Sequence, residues 1–145
     1  MATLFPFEVH TPYRRFYAEQ VESIILTLID GSVGILAHHT PFTAPVSTGI
    51  LKIKGTDGTW RSAFTTDGIL EVKQRKTVLI VDAAEWPDEI DHERALYAQK
   101  RAQELLESSL LKFEIDQARA NLKRAQFRLA VYELRGTGGT AEAGG

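Results

Sequence analysis

The sequence contains no cysteine, which excludes a disulfide framework and a thiolate metal site. It also lacks an excess of charge of either sign. Its 17 Lys and Arg residues against 19 Asp and Glu residues leave a net charge of -2, whereas nucleic-acid-binding proteins usually carry a basic excess. No apolar run approaches the roughly 20 residues that a membrane-spanning helix needs, and the N-terminus lacks the basic and apolar regions of a signal peptide. We therefore expect an intracellular protein with no nucleic-acid partner and no direct membrane insertion.

Patterns of catalytic and metal-binding residues are also missing. The adjacent His38 and His39 point to opposite sides of an extended chain, so they do not form one face of a metal site with His10 or His92. No nucleophile has a base and an orienting partner at a familiar spacing, and there is no glycine-rich phosphate loop. We predict no metal site, no catalytic residues and no enzymatic activity.

Residues 4–82 carry the pattern of short antiparallel strands that form a β-sandwich or a flattened barrel. Its centre, 30–42, combines the hairpin corner Asp30-Gly31, a short apolar strand and a loop closed by Pro41. The run 21–29 is apolar at both alternating positions, which fits a strand covered on both faces or one that crosses between two layers. The other expected strands are 5–9, 14–18, 50–54, 60–66, 69–73 and 77–82.

The period of the sequence changes from strand to helix at 83–89, where Pro87 holds Trp86 in an extended conformation. Two helical runs follow, and each has small and apolar residues on one face. These residues are Ala95, Ala98, Ala102, Leu105 and Leu106 in the first run, and Ile115, Ala118, Leu122, Ala125, Leu129 and Tyr132 in the second. We predict a β-sandwich domain over 1–84, a closely packed two-helix hairpin over 85–135 and a disordered tail over 136–145.

Four arginines are spaced so that the hairpin would bring them together. Arg94 and Arg101 are seven residues apart, and Arg124 and Arg128 are four apart, so each pair shares one helix face. A turn near 108–112 would place Arg94 level with the second pair. The arginines are either solvated helix surface or a binding site for an anion such as a polyphosphate, because guanidinium groups bind phosphate with two parallel hydrogen bonds. In the same region, Asp91 is expected to cap the first helix, with Ile90 packed against its first turn.

Three motifs together resemble the epsilon subunit of bacterial F-type ATP synthases over about residues 4–135. The first is Asp-Gly-x-x-Gly-Ile-Leu-x-x-His-x-Pro at 30–41, and the second is 67–72, where Asp67 stands at a position at which glycine is common. The third is Ile90-Asp91-x-x-Arg94-Ala95, which is similar to the family's nucleotide motif. The resemblance implies a β-sandwich of about ten strands followed by a two-helix hairpin.

The function that this resemblance implies is that of a non-catalytic central-stalk, or rotor, subunit. Such a subunit binds the gamma subunit, sits on the ring of c-subunits and couples that ring to the catalytic head of a proton- or cation-translocating ATP synthase. Its location would be peripheral, on the cytoplasmic face of the bacterial plasma membrane. The hairpin would inhibit ATP hydrolysis when extended toward the alpha and beta subunits. The alternative is a free-standing nucleotide-sensing adaptor.

The resemblance also implies two sets of site residues. No cofactor is required, but ATP is a possible regulatory ligand of the compact hairpin. The residues implied for ATP are Glu85, Ile90, Asp91, Arg94, Ala95, Arg101, Arg124 and Arg128. The residues implied for contacts with rotor partners are Gly31, Ser32, His39 and Pro41.

Overall fold

Ten strands precede two helices in the computed structural model, which describes residues 3–28 and 31–136. The strands are β1 Phe5–His10, β2 Arg15–Val21, β3 Ser23–Leu28, β4 Gly31–Leu36, β5 Phe42–Val46, β6 Gly49–Lys54, β7 Trp60–Thr65, β8 Gly68–Val72, β9 Thr77–Val81 and β10 Ala84–Glu85. A 3-10 turn at Pro87–Glu89 leads to α1, His92–Ser108, and α2, Lys112–Tyr132. This confirms the predicted β-sandwich followed by a helical hairpin. Within the described residues, neither helix is both long enough and apolar enough to cross a membrane.

One path of hydrogen-bonded strands, in the order β10-β7-β6-β3-β5-β8-β9-β1-β2, closes around a single core, and β4 pairs with β3 beside this path. Strand β3 pairs with β6 at Ser23 to Ile25 and with β5 at Leu28, so it crosses from one half of the sheet to the other. Its apolar character at both alternating positions is explained by this crossing. The fully buried side chains that fill the core include Phe7, Val9, Ile24, Leu51, Leu70 and Leu79.

Several strand boundaries differ from those expected from the sequence. Strand β2 continues to Val21, because Glu19 and Gln20 pair with β1 although both are exposed and give no apolar signal. Strand β10 has only two residues, too few for an alternating pattern, and depends on its pairing with β7. The pairing of β1 with β9 is parallel, which departs from the expected antiparallel sheet. The predicted corner at Asp30 and the predicted tail beyond Gly136 lie outside the described residues.

The two helices pack closely through alanine. Ala95 and Ala102 of α1 and Ala118 and Ala125 of α2 are each at most 3% exposed, as the small-residue faces predict. Asp91 is the N-cap of α1, since its carboxylate accepts a hydrogen bond from the Arg94 amide at 3.1 Å. The helix therefore begins at His92, and the expected cap is confirmed.

The hairpin rests on the sandwich through a small apolar cluster, here called the hairpin contact, which consists of Phe64, Ile90 and Val131. Phe64 and Val131 have no exposed surface, and Ile90 is 6% exposed. Val131 lies outside the apolar face predicted for α2, because the last turn of that helix presents a different side to the sheet. The partly buried side chains of Ile50, Phe127 and Tyr132 surround the cluster.

Candidate functional site

Two adjoining cavities lie where the hairpin meets the sandwich. The acidic cavity has a volume of about 300 Å³, and the carboxylates of Glu85, Glu89 and Asp91 line it. The arginine cavity has a volume of about 390 Å³, and its lining includes Arg101, Arg124, Tyr97, Asn121, Thr66 and Asp82. Ala98 and Arg128 line both cavities and so stand between them. Since residues of the sandwich and of both helices line the arginine cavity, its shape depends on the hairpin being folded down.

Seven of the eight residues expected to hold ATP line these cavities. Glu85, Asp91, Arg94, Ala95 and Arg128 line the acidic cavity, and Arg101, Arg124 and again Arg128 line the arginine cavity. The side chain of Ile90 does not, because it is packed in the hairpin contact beneath them. The spacing of the four arginines therefore brings them to one region of the compact hairpin.

Arg128 is held in place by two interactions with the sandwich. Its Nε donates to Glu85 Oε1 at 2.9 Å, and its Nη2 donates to Glu85 Oε2 at 3.5 Å. Its guanidinium carbon lies 4.6 Å from the centre of the Phe64 ring, within range of a cation–π interaction. Both charged side chains are about 30% exposed, so the pair is partly shielded from solvent. The charge of Arg128 is thus balanced by Glu85, and the orientation of its guanidinium in the site is fixed.

The other three arginines differ from Arg128. Within residues 3–28 and 31–136, the guanidinium groups of Arg94, Arg101 and Arg124 form no hydrogen bond and no ion pair. Arg94 and Arg101 are exposed and Arg124 is half-buried. Like charges collected on one side of a hairpin repel one another unless an anion neutralises them. This group has the charge and the fork geometry that a polyphosphate requires.

Asp67 is a fixed negative charge beside this region that the sequence-based site did not include. Its Oδ1 accepts hydrogen bonds from the amide and the hydroxyl of Thr48 at 2.6 and 2.8 Å. Burial opposes its ionisation, but the Thr48 hydrogen bonds and the charges of Lys123 and Arg124 hold the pKa of Asp67 below its ordinary value. The sequence signal that could have found Asp67 was an acid at a position where glycine is common.

The residues expected to contact rotor partners are all exposed. Gly31 and Ser32 lie on β4, which pairs only with β3 among the described strands. The loop after β4 carries His39, whose ring packs 5.2 Å from that of Phe42, and Pro41. The four residues therefore lie on or just after one edge strand, open to a partner.

An exposed apolar row on the sandwich was not expected from the sequence. Pro45, Ile69, Ile80 and His10 are successive cross-strand neighbours on β5, β8, β9 and β1. Ile69 and Ile80 are 49% and 47% exposed. Their alternation with buried residues marks a strand but does not distinguish a solvated face from a binding face.

In the described part of the chain, no group of three or more His, Asp and Glu side chains is arranged to bind a metal ion.

The segment Ala84–Glu89, which joins the sandwich to the hairpin, is bound to the sandwich at several points. The Trp86 ring stacks on Phe16 at 4.5 Å, and the Arg61 guanidinium lies 3.7 Å from the centre of the Trp86 ring. The Arg14 guanidinium donates to both carboxylate oxygens of Glu89, at 2.9 and 2.8 Å. This segment is the only covalent connection between the two parts of the chain.

Two family models match the chain in succession. The model described as ATP synthase, Delta/Epsilon chain, beta-sandwich domain matches residues 4–87, and the model described as ATP synthase, Delta/Epsilon chain, long alpha-helix domain matches residues 88–133. The chain is 46% identical over 129 residues to the ATP synthase epsilon chain of Caldicellulosiruptor bescii, covering 89% of this chain and 93% of that one. The ATP synthase epsilon chain of Caldanaerobacter subterraneus subsp. tengcongensis is 46% identical over 132 residues, with 90% and 95% covered.

Solved structures share the fold. A chain of the mitochondrial ATP synthase of Euglena gracilis, from a structure of its OSCP, F1 and c-ring, superposes with a TM-score of 0.79 at 20% identity. The match covers 90% of this chain and 82% of that chain. A chain from the central stalk and c-ring of the Tetrahymena thermophila mitochondrial ATP synthase gives a TM-score of 0.57 at 14% identity.

The Arg14–Glu89 ion pair predicts a pH-dependent contribution to stability. The hydrogen bonds from Arg14 lower the pKa of Glu89 below its ordinary value of 4.5, against the opposing effect of burial. A carboxyl group whose pKa falls on folding stabilises the protein above its unfolded pKa, and this contribution is lost as the pH falls through the folded pKa. Since the two side chains are 47% and 35% exposed, we expect at most about 1 kcal/mol.

Melting temperatures of the wild type and of Arg14→Gln measure this contribution. The difference should be largest near neutral pH and should shrink as the pH falls below 4.5 and Glu89 becomes protonated. Arg15→Gln is the matched control, because Arg15 is exposed and forms no hydrogen bond or ion pair with the described residues. A difference between Arg14→Gln and the wild type that stays constant across this range would contradict the assignment.

Proposed function

The chain belongs to the delta/epsilon family of ATP synthase chains, and on that premise we propose that its helical hairpin is a nucleotide-controlled inhibitor of ATP hydrolysis. Its relatives are epsilon chains, which are non-catalytic central-stalk subunits, and the chain fills that role as a peripheral subunit of the membrane-bound complex. This membership removes the reason for considering a free-standing nucleotide-sensing adaptor. The cytoplasmic face of a bacterial plasma membrane is the location that we propose.

The observation that carries the proposal is the convergence of residues from three segments on two adjoining cavities. Glu85 comes from β10, Arg94 and Arg101 from α1, and Arg124 and Arg128 from α2. Three of the four guanidinium groups form no hydrogen bond or ion pair with the described residues. A cavity of about 300 Å³ or more is within the range that ligand pockets occupy.

The charges of the two cavities suggest how ATP would be oriented. Carboxylates accept hydrogen bonds and do not donate them, so the acidic cavity suits the exocyclic amino group of adenine. The guanidinium groups of Arg101 and Arg124 suit the phosphates in the arginine cavity. Arg128 stands between the cavities, where its ion pair with Glu85 holds it ready to meet the first phosphates. We propose that the base lies near Glu85 and Asp91 and that the triphosphate extends toward Arg124.

Control by the nucleotide follows from where the cavities are. The sandwich and both helices contribute walls, so ATP binds the compact hairpin and not the extended one. A ligand at 100 times its dissociation constant stabilises the state that it binds by about 2.7 kcal/mol. The hairpin contact has three buried side chains, and a ligand that binds only the compact state shifts the balance toward that state by this free energy.

Contacts with the rest of the synthase are assigned to the exposed surfaces. We propose that Gly31, Ser32, His39 and Pro41 contact the c-ring and gamma, and that gamma also covers the apolar row from Pro45 to His10. Two half-exposed isoleucines at the centre of that row favour a protein partner over solvent. The extended hairpin contacts the alpha and beta subunits.

Titration calorimetry of the purified chain with ATP tests the site. We expect saturable binding in the wild type and roughly 10- to 150-fold weaker binding in Arg94→Ala, since a hydrogen bond to a charged group is worth about 1.5–3 kcal/mol. We expect Arg101→Ala and Arg124→Ala to weaken ATP binding by a similar factor. The control is Arg119→Ala, because Arg119 is exposed on α2 and lines neither cavity. Equal affinities for Arg94→Ala and Arg119→Ala would contradict the proposal.

Removal of the hairpin tests inhibition. A chain that ends at Glu89 keeps all ten strands and the segment bound by Arg14, so we expect it to assemble with the other subunits. The rate of ATP hydrolysis by the assembled complex should rise. That rate should no longer depend on ATP binding to this subunit. A complex that contains the shortened chain and is still fully inhibited would exclude the hairpin as the inhibitor.

A further inference from the structure

The connecting segment is held mainly by the sandwich up to Glu89 and by the helix α1 from Asp91 onward. Within Ala84–Glu89, Glu85 also pairs with Arg128 of α2 and the 3-10 turn lies close to α2, but the other contacts are with the sandwich. Ala84 and Glu85 pair with Thr65 and Phe64 of β7, and the Arg14 Nη2 donates to the Ala84 carbonyl oxygen at 3.2 Å. From Asp91 onward the contacts are with the helix, because Asp91 caps α1.

Trp86 and Glu89 are the most strongly bound residues of this segment. Trp86 lies between the Phe16 ring and the Arg61 guanidinium, and its amide donates to Glu89 Oε1 at 2.9 Å. Arg14 holds the Glu89 carboxylate and also lies 4.9 Å from the Phe16 ring. Among the described residues, none of the hydrogen bonds, ion pairs or ring contacts of Trp86 and Glu89 involves α1 or α2. Departure of the hairpin would therefore leave them intact.

Ile90 and Asp91 are all that remains between the bound segment and α1. Both have extended backbones, with φ and ψ of -78° and 129° at Ile90 and of -82° and 102° at Asp91. The Ile90 side chain is buried in the hairpin contact, between Phe64 of the sandwich and Val131 of α2. A hinge needs a few residues at the end of an element that can absorb a change in φ and ψ, and these two residues meet that description.

We propose that Ala84–Glu89 is a fixed mount, which stays on the sandwich when the hairpin leaves, and that the hairpin pivots at Ile90 and Asp91 alone. This rests on the release of the hairpin in the proposed function. The carboxylate and the carbonyl of Asp91 are bound by the amides of Arg94 and Ala95, so the free angles are φ and ψ of Ile90 and φ of Asp91. With so few free angles, the mount restricts the orientations that the released hairpin takes. Arg14, Phe16 and Arg61 are then positioning residues for inhibition, although they lie in the sandwich.

Distances between pairs of spin labels test the mount in the full chain. The absence of cysteine allows labels at chosen positions: Thr56→Cys in the sandwich, Asp88→Cys in the mount and Gln117→Cys in α2, all of which are exposed. Val131→Asp combined with Arg128→Glu forces the hairpin off, because it places charge in the hairpin contact and replaces the ion pair with Glu85 by repulsion. In this release variant we expect the 56–117 distance distribution to shift and broaden. The 56–88 distribution should stay as narrow as in the wild type.

The mount is then weakened in the same background. Adding Arg14→Gln and Trp86→Ala to the release variant should broaden the 56–88 distribution, whereas the control Arg15→Gln should not. Three results would overturn the proposal: broadening of 56–88 in the release variant with Arg14 and Trp86 present, no broadening when both are replaced, or a hairpin that stays in place in the release variant.

A separate titration distinguishes failure of the mount from failure of nucleotide control. The wild-type chain labelled at 56 and 117 is measured with and without ATP. An unchanged distribution would count against ATP as the controlling ligand, while the release variants still decide where the hairpin pivots.

Discussion

The contact of Phe64, Ile90 and Val131 is the interaction on which the rest of the structure depends. It is the apolar attachment of the hairpin, and the Arg128–Glu85 ion pair lies beside it. The sandwich has a large core of its own, but the helices meet each other mainly through alanines, which bury little surface. The hairpin therefore cannot rely on its own packing, and its position is decided by a contact small enough for a ligand to outweigh.

The same contact explains why the residues that we propose for ATP come from distant parts of the chain. When it forms, α2 packs against β6, β7 and the 3-10 turn at Pro87–Glu89, and the two cavities lie where the hairpin meets the sandwich. Arg101 and Arg124 line one cavity and Arg94 lines the other, and in the proposed function the phosphates of ATP neutralise these charges. Asp67 and Asp82 on the sandwich lie beside the same region. If ATP binds where we propose, nucleotide binding and hairpin position are coupled, so that each changes the other.

Much of this architecture could be predicted from the sequence. The strand alternation, the alanine faces and the N-cap at Asp91 are local patterns with a physical cause, and the structure contains them. The spacing of the arginines also predicts that they lie together, provided that the chain turns near Ser109. Local patterns fail where pairing between distant segments decides the outcome, as in β10 and in the extension of β2 through Glu19.

The features that escaped prediction depend on the tertiary arrangement. Val131 is fully buried, but its role depends on the rotation of the last turn of α2, which the period of the helix does not specify. Arg14 is 75 residues from Glu89 in the sequence, and no motif marks the two as partners. Asp67 stood out only as an acid where glycine is common, and its influence on Arg124 required the packed hairpin.

Amide hydrogen exchange of the hairpin with and without ATP tests the central claim most directly. If ATP stabilises the compact state, the amides of α1 and α2 should exchange more slowly when ATP is present, while those of the sandwich core should change little. The same slowing should be absent in Arg124→Ala. Binding of ATP that leaves hairpin exchange unchanged would show that the nucleotide does not control the hairpin, and the account would be wrong.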